Sequence, residues 1–517
     1  MKPVTRDEAR APLVLAIDMG SSSIRALLFD AAGRQLDSSE TQLTHALKTT
    51  PDGGSEANAA NLLDLTFRCI DKTVERAGDR ATDISAVGIS CFWHSLLGLD
   101  GSGEPTTPVL MWSDKRSGAD VADLRDRIAP ETLHQQTGCR PHSSYWPAKL
   151  LWLRRTQSAE WRRARHWVSF ADFVALRLHD RLTTSLSMAS GTGLLDTNLL
   201  AWHNGAMDAV GLDATTMPEL TDRGVPLPPL TSEFAKRWPA LVGIPWYPAI
   251  GDGAAANIGA GCVGENRIAI TVGTSAAMRM ILSNTPDQDP VPVLPERIWC
   301  YLLDRQTKVL GGALSNGGNV TEWLVETMAD GSYETFTERA ARLAPDSHGL
   351  TFLPFLSGER SPSWNDSAMG TLSGIRLSTT PGDIFRAALE ATAYRIAAIH
   401  DDLRQLASEP YEIHANGSAI LNSPLWLQII ADTLGRQVDA VDAQTEASAQ
   451  GAATCALESL GALENLGSMT RETTRSFVPD PSAHDIYASA RLRQTALEAA
   501  LYGSEPAQDR RKDRSGS

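Results

Sequence analysis

Asp18 closes an apolar run and is followed at once by Gly20-Ser21-Ser22-Ser23. The pattern returns past the middle of the chain: Leu15 to Leu27 stacks without a gap on Ile268 to Met280, laying Gly20 on Gly273, Ser21 on Thr274, Ser22 on Ser275 and Asp18 on Thr271. Each copy reads as a β-hairpin, two apolar runs about a turn of small hydroxyl residues. Glycine in such a turn is expected to adopt φ > 0 and to let a bulky anion approach. The turn's N–H groups and hydroxyls form an anion-binding concavity. Two such loops predict one polyphosphate held in a cleft between related halves. A carboxylate beside a phosphate loop repels it unless a cation lies between, so Asp18 is expected to hold a hydrated Mg2+. On its own Asp18 would read as a turn cap; the second copy of the loop favours the metal.

A second carboxylate, Asp252, opens Gly251-Asp-Gly-Ala-Ala-Ala-Asn-Ile-Gly-Ala-Gly261. The small residues after it suit a tightly packed helix with its N-terminus open to an anion. Asp252 is placed to accept a proton from a hydroxyl attacking phosphorus, help typically worth about 10²–10⁴-fold. The bland alternative is a helix N-cap. A third group, Trp93-His94-Ser95 with Trp112-Ser-Asp114-Lys115-Arg116, combines aromatic walls with directional donors and acceptors, as a polyol or sugar-acid site requires. Trp93, His94, Trp112 and Asp114 are the substrate candidates, with Arg116 or Lys115 available to a carboxylate. A fourth segment, Ala415 to Asp432, places a tight turn at Gly417-Ser418 before a helix capped by Ser423 with Pro424 in its first turn; the turn offers a flat base a backbone to lie against. No G-x-x-x-x-G-K-[ST] loop, G-x-S-x-G elbow or protein-kinase motif set is present.

These residues need a scaffold of alternating strands and helices, which is an α/β fold. Three strands are expected over residues 11–47 with a turn at Ala31-Ala-Gly-Arg34, then a helix over Ala57–Ala77 and a buried strand over Ile84–Ser90. His94–Leu99 reads as that strand's antiparallel neighbour. A helix-rich stretch over 119–181 carries Trp146, Trp152, Trp161 and Trp167 as core aromatics. The second half repeats the logic, with a strand at Lys308–Leu310 and helices from Asn319 and Pro381. We expect one domain over 11–254, a second over 255–478, a terminal helix over 479–502 and a disordered tail over 503–517.

With 517 residues the chain exceeds a single core. A formal charge of −15 argues against nonspecific nucleic-acid binding, and no apolar run reaches membrane-spanning length. Six scattered cysteines without metal spacing, and a charged start without a signal-peptide core, point to reduced thiols and a cytoplasmic location.

Taken in order, Ile17-Asp-Met-Gly-Ser-Ser22, Trp112-Ser-Asp-Lys-Arg116, Gly251-Asp-Gly253, Thr271-Val-Gly-Thr-Ser275, Leu353-Pro-Phe-Leu-Ser-Gly-Glu-Arg-Ser-Pro362 and Ser423 to Asp432 make the chain resemble the FGGY carbohydrate kinases. The resemblance runs from about Leu13 to about Glu472, and His94-Ser-Leu-Leu97, Gly311 to Gly318 and Leu353 to Pro362 are most similar to the gluconokinases among them. It implies two actin-like, ribonuclease H-like ATPase domains flanking a cleft, as in the hexokinase/Hsp70/actin group. It further implies Asp252 as catalytic base and Asp18 as the Mg2+ carboxylate. Gly20, Ser21, Ser22, Gly273, Thr274 and Gly317 would serve ATP, with Gly417 and Ser418 at the adenine. Trp93, His94, Trp112 and Asp114 would face the sugar. The family usually has a glycine pair where this chain has Gly417-Ser418, which puts nucleotide affinity and base preference in question. The implied reaction moves the γ-phosphate of ATP to a terminal hydroxyl, with D-gluconate as the leading acceptor. Xylulose, ribulose or erythritol is the alternative within the class, and a catalytically silent sugar or nucleotide sensor the alternative outside it. The resemblance also suggests a homodimer.

Overall fold

A computed structural model of the chain describes residues 3–284, 293–328, 331–441, 446–469 and 471–503. The tail expected to be disordered lies, from residue 504 onward, outside the described residues. The apolar run before the first glycine turn is the central strand of a sheet. That sheet comprises β1 (Leu13–Met19), β2 (Ser23–Phe29), β3 (Thr41–Thr44), β4 (Ile84–Cys91) and β5 (Ile250–Gly251), in the order β5-β4-β1-β2-β3. The second sheet comprises β6 (Gly264–Val272), β7 (Ala276–Ser283), β8 (Trp299–Asp304), β9 (Thr307–Leu314), β10 (Glu412–Asn416), β11 (Val438–Val441) and β12 (Thr473–Phe477). Its order is β8-β9-β7-β6-β10-β11-β12.

The two sheets share a plan. In each, the strand before the glycine turn pairs antiparallel with the strand after it, and parallel with a strand returning from a long helix. The next parallel strand out is β5 in one sheet and β11 in the other. Extra edge strands, β8 and β12, enlarge the second copy. The expected α/β duplication is therefore present, and the paired residues refine it. Met19 faces Ile24 across the first turn, whereas Val272 faces Ala276 across the second, so the second hairpin is one residue shorter and the ungapped match ends at the turn.

β1 is buried throughout, as its unbroken apolar sequence requires. Its alternate residues serve opposite faces. Leu13, Leu15, Ile17 and Met19 join a core with Leu62, Leu65 and Ile70 of the helix Ala59–Ala77. Val14 and Ala16 join Ala449, Ala453 and Ala456 of the helix Ala447–Ser459. The first helix begins two residues later than expected because the Asn58 side chain caps it, accepting from the Asn61 amide. The tryptophan-rich stretch has its own core, with Trp146, Trp152 and Trp167 buried and Trp161 packed at its edge.

Two expectations are corrected. Leu97–Leu99 pairs with His166–Val168 and not with the strand Ile84–Cys91, because the chain turns sharply at His94 before it can fold back. Ser423 makes no capping bond to the helix Pro424–Leu434, and its hydroxyl is buried without a partner; Pro424 supplies no amide there, and Gly417-Ser418 opens a short helix, Ser418–Leu421, just upstream.

The halves meet where the helix Asp252–Gly259 crosses the helix Ala447–Ser459. The domain boundary expected at residues 254/255 falls inside the first of these. A Cβ at Gly259 would strike the Ala447 carbonyl, and one at Gly451 would strike the Ala255 carbonyl. The crossing is thus backbone against backbone, with glycines at reciprocal positions. A third glycine, Gly88 on β4, lets the Ala452 carbonyl approach the first sheet. Gly451→Ala is expected to lower stability by roughly 1–3 kcal/mol through overpacking, read as a drop in urea midpoint without a change in slope. Wild-type stability in that variant would show that the crossing has slack.

Candidate active site

Parallel pairing brings the two candidate carboxylates to one edge of the first sheet. Asp18 sits opposite Ser90, and Ser90 sits opposite Ile250, two residues before Asp252. Two strand spacings of about 4.8 Å separate the strand ends that carry them. Asp18 is buried, its Oδ1 accepts from the Ser90 hydroxyl, and Arg25 stands 3.8 Å from its Oδ2. Burial pushes its carboxyl up to about 6 against the pull of Ser90 and Arg25, and the Asp252 charge adds to the rise.

Asp252 is the first residue of its helix and not its N-cap, a place Gly251 takes. Its Oδ1 accepts from the Gly253 amide at 2.8 Å. Burial raises its carboxyl above the usual range; Arg279, the amides of Gly253 and Trp93, and Arg360 restrain that rise. Trp93 holds this turn in place. Its indole fills the space left by three glycines, since a Cβ at Gly191, Gly251 or Gly253 would run into the ring, and its Nε1 donates to the Ser187 carbonyl at 2.9 Å. Glycines on both sides of Asp252 therefore answer to one aromatic wedge.

His94 follows with φ +68°, a left-handed conformation that costs a non-glycine residue roughly 1–2 kcal/mol. The buried Lys149 ammonium holds it there, donating to the His94 carbonyl at 3.0 Å and the Met111 carbonyl at 2.8 Å. His94 Nδ1 lies 2.5 Å from the Gly191 carbonyl. A carbonyl only accepts, so Nδ1 carries the proton and Nε2 is left as an acceptor. Burial lowers the ring to about 3, so it stays neutral.

A cleft of about 850 Å³ opens between the two sheets, lined by Ser21, Ser22, Trp93, His94, Trp112, Lys115, Asp252, Gly273 and Thr274. The two glycine turns thus share one cavity, but neither Gly20 nor Gly273 has the positive φ expected of it. At Gly20 a Cβ would stand 2.9 Å from the Ser23 carbonyl that closes the hairpin; at Gly273 it would meet nothing and project into open space. Close approach thus explains glycine in the first turn, and in the second nothing in the fold itself demands it.

Gly317 supports the second turn from behind: a Cβ there would lie 2.6 Å from Ser275, and the next two amides, of Gly318 and Asn319, donate to the Gly273 and Thr274 carbonyls at 2.8 and 3.1 Å. Gly417 does have positive φ, +99°, and packs on the Val272 carbonyl. Gly417 and Ser418 do not line the cleft with the phosphate turns.

Asp114 and Arg116 also stand apart from the cleft. Asp114 is buried, paired with Arg116 at 2.5 Å and accepting from the Ser55 amide at 3.0 Å; Arg116 also reaches Glu56 at 2.9 Å and stacks on Trp152. With its oxygens occupied, Asp114 shapes the loop that presents Trp112 and Lys115. The cleft has in their place two cations that sequence reasoning missed. Arg279, on β7, comes within 3.5 Å of the Thr271 hydroxyl. Arg360 lies over Trp112 at 4.4 Å from the ring centre, with its Nε buried and unpartnered. Trp299 and Tyr301 complete the aromatic wall. The signal for Arg279 was a single cation in an otherwise apolar strand, Ala276-Ala-Met-Arg-Met-Ile281.

A duplicated α/β sheet with glycine turns facing one cleft defines a two-domain fold with a single site between its halves. Residues 13–259 match the N-terminal domain, and residues 268–460 the C-terminal domain, of the FGGY family of carbohydrate kinases. The chain belongs to that family, whose members transfer phosphate from ATP to an alcohol group of a carbohydrate. It is 26% identical to a gluconokinase of Bacillus licheniformis over 468 residues, covering 87% of this chain and 88% of that one. It is 24% identical to a xylulose kinase of Lactococcus lactis over 483 residues, covering 90% and 93%. A crystal structure of gluconate kinase from Lactobacillus acidophilus matches with a TM-score of 0.84 at 24% identity, over 95% of this chain and 98% of that one, a likeness of fold. Among the described residues no helix is long and apolar enough to cross a membrane.

If Asp252 is the base, only its ionised form accepts a proton, and because burial holds its carboxyl above the ordinary carboxylate value, kcat/KM should fall on the acid side at a pH higher than an unperturbed carboxylate would give. Asp252→Asn should remove that limb along with at least a hundredfold of kcat, while ATP affinity measured by calorimetry stays within about threefold. Near-wild-type turnover in the asparagine variant would exclude Asp252 as the base.

Proposed function

We propose that the chain phosphorylates the terminal hydroxyl of a sugar acid, with D-gluconate to 6-phosphogluconate as the reaction, using ATP and Mg2+. The observation that carries the acid is Arg360. Its guanidinium lies in the cleft against Trp112, has a donor without a partner, and shares the cavity with Lys115 and Arg279. A neutral ketopentose or polyol offers the Arg360 fork no anion, whereas a carboxylate matches its planar geometry. The gluconokinase relatives point the same way; the xylulose kinase relatives keep the neutral sugar as the outcome that a substrate panel must exclude.

The residues divide the work as follows. Ser21, Ser22, Gly273 and Thr274 offer amides and hydroxyls to the phosphates from both sides of the cleft, with Gly20 and Gly317 shaping the turns behind them. Gly417 and Ser418 serve the adenine end. His94 Nε2 accepts from a substrate hydroxyl, and Trp93 and Trp112 bound the carbon chain. Asp252 orients the attacking hydroxyl and receives its proton, a task of positioning more than of strong basicity in phosphoryl transfer. Asp18 suits Mg2+: a buried carboxylate held up to about 6 is short of positive charge, which a hydrated dication would supply. When bound, that ion neutralises charge on the phosphates.

Arg360→Met is expected to raise the KM for gluconate roughly ten- to a hundredfold, the loss of about 1.5–3 kcal/mol from a charged hydrogen bond. Residual turnover of xylulose should change less than threefold. ADP release over a panel of sugar acids, ketopentoses and polyols reads both. Equal losses for acid and neutral substrates would remove the carboxylate reading, and binding without turnover of any of them would favour a silent sensor.

A further inference from the structure

A second cavity, of about 420 Å³, lies on the C-terminal half and shares no lining residue with the cleft. It forms where the ends of the helices Pro381–Leu403 and Pro424–Leu434 meet the start of the helix Pro481–Tyr502. Three arginines line it, Arg404, Arg436 and Arg491, against a single carboxylate, Asp401. Asp401 is shared, 2.5 Å from Arg491 and 3.7 Å from Arg404. Arg404 makes no side-chain hydrogen bond among the described residues. Arg436 is steadied from outside the cavity, paired with Glu409 and lying 4.5 Å over the Tyr411 ring.

The two histidines there are oriented. His400 Nε2 is 2.9 Å from the Tyr411 hydroxyl, and His484 Nδ1 is 2.9 Å from the Asp432 carbonyl, which leaves that nitrogen protonated. Gly435, at φ +62°, keeps the wall open, since a Cβ would lie 2.9 Å from the His484 ring. Burial lowers His400 to about 4, with Asp401 opposing and the three guanidinium charges adding to the fall. All this stands on a protein whose formal charge is −15. A concentrated patch of guanidinium donors in a concave site is the chemistry that takes phosphate.

We propose that this cavity binds a phosphate dianion, free or as the monoester of a small metabolite, at a site separate from the cleft. The test uses the full chain with its cleft filled by a non-hydrolysable ATP analogue and gluconate. Isothermal titration is run with inorganic phosphate in one arm and glycerol phosphate in the other, at low ionic strength. Saturable binding of one equivalent per chain is expected. It should weaken at least tenfold in R404Q/R436Q, with basal turnover unchanged. R404Q alone removes a side chain with no hydrogen bond to lose, so it serves as the variant whose fold is safe, and it too should weaken binding. Tighter binding in the first arm identifies a free-phosphate site, and tighter binding in the second a monoester site. No saturable binding in either arm, or wild-type affinity in R404Q, overturns the proposal.

Discussion

The molecule turns on the contact between two short helices, Asp252–Gly259 and Ala447–Ser459, whose backbones touch through Gly259 and Gly451. Each follows an outer strand of its own sheet, so their crossing joins the halves at equivalent places. Close-packed interiors do not yield to even one added carbon. The position of Asp252 is therefore fixed from behind by the second half of the chain and from in front by Trp93. That restraint explains why so many small residues follow Asp252, and it suits the orienting role proposed for its carboxylate.

A second constraint is electrostatic. Asp18 and Asp252 both leave the same sheet edge, each is raised by burial, and the charge of Asp252 adds to the rise at Asp18. Arg25 stands near Asp18, and Arg279 and Arg360 act on Asp252. The cations thus come in part from the opposite half: Arg279 lies on β7 and Arg360 on the loop before the helix Pro381–Leu403. Arg279 and Arg360, from the opposite half, oppose the rise that burial imposes on Asp252.

Much of this was legible in the residues. The hairpins and the long helices follow from apolar periodicity and small-residue turns, which are local signals; the grouping of Asp18, Asp252, His94 and Trp112 was implied by the family resemblance. What was not legible depends on contacts far apart in the chain. Asp114 carries the residue type of a sugar ligand, but Glu56 and Ser55, some sixty positions earlier, make it part of a buried ion-pair network. Gly20 and Gly273 were read for left-handed φ, whereas one answers to a carbonyl and the other to open space. The single-residue difference between the hairpins was likewise hidden, because it shows only in the strand register.

Arg360 shows how a distant framework sets the chemistry of a cleft residue. Its neighbour Glu359 is buried against Arg395 at 2.7 Å, and Arg395 reaches Glu498 of the C-terminal helix at 2.5 Å. One helical turn earlier, Glu390 accepts from Arg386 at 2.6 Å and from Tyr487, again on the C-terminal helix, at 3.1 Å. Breaking a buried pair leaves an uncompensated charge, which costs far more than the pair contributes when intact. The loop that carries Arg360 is thereby held by two helices that contribute no residue to the lining of the cleft. Lys115 meets this loop from the other half, donating to the Ser357 carbonyl. The segment that carries Arg360 is thus held by the Glu359–Arg395–Glu498 pairs on one side and by Lys115 on the other.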